Sequence, residues 1–65
     1  MKHRWFIDTH SFALETTKAD IANALRNGDV EYLQTLGDNK ELCHLYRFTS
    51  AYVRQMHIAR KKFDA

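Results

Sequence analysis

The sequence predicts a mostly α fold: a small bundle of two short helices and one long C-terminal amphipathic helix, behind an N-terminal aromatic arm or single strand. Helix-start signals recur three times, each glycine sits where a helix would stop, and apolar residues from Leu42 onward return at helical spacing. No proline interrupts the chain, so nothing in it forbids a continuous helix. Its 65 residues make one domain, residues 1–65, and leave room for no second.

Residues 1–15 form the arm. Trp5, Ile7, Thr9 and Ser11 alternate with Phe6, Asp8, His10 and Phe12, and the richness in Trp, Phe, Ile and Thr favours extended structure. A strand on its own leaves backbone donors and acceptors unpaired, so a strand here implies pairing with a second copy or with a target. The other readings are an irregular arm whose aromatics pack on helices, and a helix.

Thr17-Lys18-Ala19-Asp20 places a hydroxyl at an N-cap and an acid three residues on. It opens a helix over about 17–27 that buries Ile21, Ala24 and Leu25 and stops at Asn27-Gly28. Asp29 caps a second short helix, about 30–36, in which Val30, Leu33 and Leu36 repeat every three residues before Gly37. Asp38-Asn39-Lys40-Glu41 is a capping box with the expected acid, and starts the long helix at about 39–62. On its wheel Leu42, Leu45, Tyr46, Thr49, Tyr52, Val53, Met56 and Phe63 share about a third of the circle and read as core. The same three-four rhythm suits a seam between two helices, so that face also offers self-association. Arg47, Arg54 and Lys61, spaced by seven, stack on the opposite side with Ala51 and Ile58 beside them and Lys62 at the edge.

Size and composition exclude several classes. A chain this short buries only about 60% of the surface its unfolded form exposes, and the single Cys43 closes no internal disulfide. His3, His10, Cys43, His44 and His57 lack paired ligand spacing, so neither a metal nor a cofactor is expected. Cys43 and His44 are neighbours that diverge on a helix and cannot meet as nucleophile and base, and so short a chain shapes little concavity; no enzyme is expected. No apolar run approaches the eighteen or so residues that cross a bilayer, and Trp5-Phe6-Ile7 is too short for a signal peptide. A lone thiol fits a reducing interior, which places the protein in the cytoplasm.

Charge supplies the functional expectation. Residues 1–37 hold four basic and five acidic side chains, whereas 38–65 hold six basic and three acidic. Like charges aligned on one helix face gain nothing from each other, so the stripe asks for an acidic partner. Interleaved apolar residues suit protein docking better than a phosphate backbone. The expected function is a small regulator or inhibitor that binds a larger host or cellular protein stoichiometrically. Arg47, Arg54, Ile58, Arg60, Lys61 and Lys62 are the surface, and Trp5 and Phe6 the aromatic anchors. Short single-domain chains without catalytic constellations are also the kind that phages and mobile elements use to block a host machine. The alternative is a nucleic-acid-binding homodimer, basic-helix or ribbon-helix-helix-like in its order of elements, acting as a transcriptional or RNA regulator.

Overall fold

A computed structural model describes residues 1–64, with side chains described through Arg60. The elements run β1 (Lys2–Asp8), β2 (Ala13–Thr16), α1 (Lys18–Arg26), β3 (Val30–Gly37), β4 (Glu41–Phe48) and α2 (Ala51–Asp64). Two antiparallel hairpins, β1–β2 and β3–β4, join through a parallel β1–β4 pair into one four-stranded sheet of order β2-β1-β4-β3. Both helices lie on the same side of it. Ile21 and Ala24 of α1 meet Ile7, Val30 and Phe48 in a small buried cluster, against which Trp5, Leu14, Tyr46 and Val53 pack. The other side of the sheet is bare.

The mostly α reading is therefore wrong: only the first short helix and the end of the long one are helical. Over 30–36 the chain is strand. Leu33 is the extra residue of a β-bulge between Tyr32 and Gln34, and this one-residue insertion breaks the period of two. Val30 and Leu36 accordingly fall on opposite sides of the sheet, and their spacing by threes marks no shared face. Residues 41–48 are also strand. β4 lies between β1 and β3, so apolar side chains stand on both its faces, Tyr46 and Phe48 towards the helices and Cys43 and Leu45 away from them. A centrally placed strand of this kind loses its alternation and imitates a buried helix.

Turn chemistry misled in the same direction. Asp38 Oδ1 accepts the backbone N–H groups of Lys40 (2.8 Å) and Glu41 (3.2 Å), and Asp38 N–H donates to Glu41 O at 3.0 Å. This bonding resembles that of a helix cap, but it closes the β3–β4 hairpin. The first cap is real: Thr17 Oγ1 accepts from Asp20 N–H at 3.1 Å and opens α1. Gly28, at φ +75°, ends it in the left-handed region. Leu25, expected in the core, is exposed, as is Tyr52 at 76%.

β1 is a strand, one of the forms expected of the arm, but its partners are β2 and β4 of the same chain. No ribbon remains to pair across a dimer, which removes the ribbon-helix-helix form. Thr9, 3% exposed, organises the β1–β2 turn: its hydroxyl donates to Phe12 O and accepts from Phe12 N–H at 3.1 Å. Thr49 ties the end of β4 to the loop after α1, its hydroxyl donating to Gly28 O at 2.8 Å and its N–H to Asp29 O at 2.9 Å. Among the described residues no helix is long and apolar enough to cross a membrane.

Candidate functional site

β1 and β4 are parallel, so both end at the same margin of the sheet and the loops after them diverge there. In open sheets ligands favour the crevice outside the carboxyl ends of parallel strands. An open concavity of about 360 Å³ occupies that place, lined by Asp8 and His10 from β1 and its turn, Glu31 of β3, Arg47 of β4, Thr49, Ser50, and Arg54 of α2. His10 takes φ +74°, a conformation that histidine tolerates better than most residues, while Asp8 Oδ1 accepts its N–H at 2.8 Å.

The charged groups divide into held and open ones. Arg47 Nε donates to the Glu31 carboxylate across the β3–β4 pair, so this cation is half neutralised. Arg54 makes no ion pair among the described residues and lines the concavity from the second turn of α2. The start of α2 faces the same space through Ser50 and Ala51. Ser50 caps the helix, its Oγ accepting Val53 N–H at 3.1 Å, and the first N–H groups add partial positive charge. Asp8 and Glu31 offset the two arginines in formal charge, so the place for an anionic group presented from outside is local, at Arg54 and the start of α2. It is a poor setting for covalent chemistry, since the depression is open and excludes little water.

The expected site residues are redistributed. Arg47 and Arg54 do come together, from a strand and a helix and not from one helical stripe. Ile58 stands one turn beyond Arg54 and is half-buried. Arg60 lines a second cavity of about 240 Å³ between the helices, with Asp20, Asp29 and His57. Asp29 and His57 form a bond of 3.2 Å that becomes an ion pair when the imidazole is protonated. Lys61 and Lys62 have side chains outside the described residues. Trp5 and Phe6 point to opposite sides of the sheet: Phe6 lies on the bare side beneath the Arg4 guanidinium, 5.0 Å from its ring centroid, and Trp5 stacks at 5.4 Å on His44. One flat partner cannot use both.

Two groupings escaped the sequence reading. Asp8 and His10 join the site through the parallel register, which sets Asp8 beside Arg47, Glu31 joins it through the β3–β4 pair, and Ser50 joins it by following β4. Beyond the reach of the helices, Tyr32 Oη, Thr35 Oγ1, His44 and His3 form a hydrogen-bonded chain, with 2.7 Å, 3.1 Å and 2.9 Å between successive members. It crosses three strands, so no local spacing announces it. Among the described residues no three ligating side chains converge as a metal site would need. On the bare side, Arg4 holds the Glu15 carboxyl below the usual carboxylate range, first by hydrogen bonding and then by charge. No protein family, curated protein or solved structure matches this chain.

Proposed function

We propose that the chain is a small non-enzymatic binding protein that regulates or inhibits a larger protein by stoichiometric docking. The observation that carries this reading is the convergence of Arg47 and Arg54 on one open concavity, Arg54 lacking an internal counter-ion among the described residues. Its partner presents a carboxylate-rich surface, which Arg54 engages as a bidentate fork while Ile58, one turn on, supplies apolar contact. The site works in the cytoplasm, where the half-exposed Cys43 thiol stays reduced.

The experiment is affinity capture from source-cell lysate with the wild type, Arg54→Glu and Arg26→Glu, with and without nuclease and at two salt concentrations. Arg26, in the last turn of α1, does not line the concavity and serves as the control. A single protein retained after nuclease and moderate salt, lost with Arg54→Glu and kept with Arg26→Glu, supports the docking site. Capture that Arg54→Glu leaves intact removes the site. Capture abolished by nuclease and falling steeply with salt turns the reading to a phosphate backbone instead.

A further inference from the structure

The bare side of the sheet is a surface unlike the rest of the molecule. β1 places Lys2, Arg4, Phe6 and Asp8 there, and β4 places Glu41, Cys43, Leu45 and Arg47. Register sets Phe6 beside Leu45, while Leu36 of β3 stands beside Cys43 and is 53% exposed. An apolar centre thus runs obliquely across three strands. Ion pairs fringe it: Arg4 with Glu15 (2.9 Å) and Glu41 (3.4 Å) towards one margin, Arg47 with Glu31 towards the other. Apolar centre with charged rim is the anatomy of a protein interface.

The chain as a whole exposes more surface than a compact monomer of its mass. The chain exposes 4876 Å² at a mass of 7.7 kDa. A compact monomer of that mass exposes about 4,300 Å². The excess of roughly 600 Å², spread over the whole chain, is somewhat below the 800 Å² or so that one partner buries in a standard interface.

We infer that a second copy of this chain covers the bare face, packed sheet on sheet. The register supports self-recognition. Along the parallel pair Lys2 stands beside Glu41, Phe6 beside Leu45 and Asp8 beside Arg47, so opposite charges share a level at both ends and apolar side chains share the middle. A two-fold axis parallel to the strands, passing between β1 and β4, lays β1 of one copy over β4 of the other at the same level. Lys2 then faces Glu41, Asp8 faces Arg47, Phe6 faces Leu45, and Arg4 faces the neutral Cys43. No like charges oppose along these strands, the condition for an isologous contact. Aligned sheets pack about 10 Å apart in this manner. The sheet margins offer less: β2 has only four residues, and the bulge at Leu33 interrupts the outer ladder of β3.

Sedimentation equilibrium tests the inference, with Cys43 as an internal reporter. At about 100 µM, far above a micromolar Kd, the wild type should weigh twice its 7.7 kDa. Leu45→Glu, at the centre of the contact, should raise the dissociation constant roughly thirty-fold or more with circular dichroism unchanged. Lys2→Glu, at an exposed position with little bearing on folding, should weaken the dimer, and adding Glu41→Lys should restore it. Cys43 should react with a water-soluble disulfide reagent several-fold more slowly in the dimer than after dilution. A wild type of monomer mass throughout, or a dimer in which Cys43 reacts as fast as in dilute solution, overturns the assignment. So does a dimer indifferent to both Leu45→Glu and Lys2→Glu. Asp8 and Arg47 belong to both this face and the docking concavity, but Arg54 lies outside the face, so Arg54→Glu should leave the dimer intact and Leu45→Glu should leave docking intact, which tells failure of one reading from failure of the other.

Discussion

The two sides of the sheet solve the same problem by different means. On the helix side, β1 and β4 present Ile7 and Phe48 to α1 and α2, and water leaves. On the other side the same strands present Phe6 and Leu45, half-buried at most, under an arginine held by two carboxylates. One side gains stability from burial; the other keeps its apolar centre within reach of a partner. The contrast teaches where a small chain places its cohesion. The five buried side chains cluster on one side, while the opposite side keeps its apolar residues half-buried at most.

The sharpest way to break this contrast is to truncate one aromatic on each side. Phe48→Ala should cost about 3–5 kcal/mol, enough to unfold most of the population, as read by urea denaturation with far-ultraviolet circular dichroism. Phe6→Ala, measured where the chain is monomeric, should cost about 1 kcal/mol. Equal losses would mean that the bare side carries as much of the fold as the covered one. Next in size is Gly37→Ala. Gly37 has φ +143°, and an added Cβ would overlap the Glu41 carbonyl oxygen, so the hairpin must shift or open. Strain of this kind costs of order 1–3 kcal/mol, visible as a lower urea midpoint. Thr17→Ala, which removes the cap of α1, should cost about 1 kcal/mol in the same assay.

The smallest effect is electrostatic and belongs to the bare side and its hairpin. Arg4 lowers the Glu15 carboxyl, and the backbone N–H groups of Lys40 and Glu41 lower that of Asp38. A carboxyl depressed in the folded state adds stability above its unfolded value and loses it as pH falls through the folded one. The urea midpoint should therefore decline as pH drops below about 4, and Glu15→Gln should make the decline shallower. Salt should weaken the Glu15 contribution, since its ion pair faces water. A midpoint flat down to pH 2 would sink this account.

Comparing Thr17 with Asp38 shows how much was legible. Each is a short oxygen-bearing side chain that accepts a backbone N–H three residues ahead, one opening α1 and the other closing a hairpin. Local chemistry specifies the turn but not the element that the turn introduces. That element is a strand when its residues find ladder partners, and those for β4 include a strand at the start of the chain. α1 was readable because its cap, buried face and glycine stop are all local. β1 was readable as extended, but its partners were not. Of the site, the meeting of Arg47 and Arg54 was legible for the wrong reason: spacing by seven suggested one helix, whereas a strand end and a helix start bring them together. Tyr52, a core residue on the wheel, faces water because its helix begins only at Ala51.

The strand order has a consequence for how the molecule comes into being. β4 joins the two hairpins, and it pairs with a strand made 39 residues earlier, Lys2 aligning with Glu41. During synthesis, then, β1 and β2 emerge as a hairpin too small to persist in water. At about 5–20 residues per second they wait roughly two to six seconds for Phe48 to follow Thr16. Throughout that interval Trp5, Phe6 and Ile7 lack their partners in β4, and the sheet waits on a contact between distant parts of the chain. The two hairpins can join only once β4, the second-to-last element, has been made.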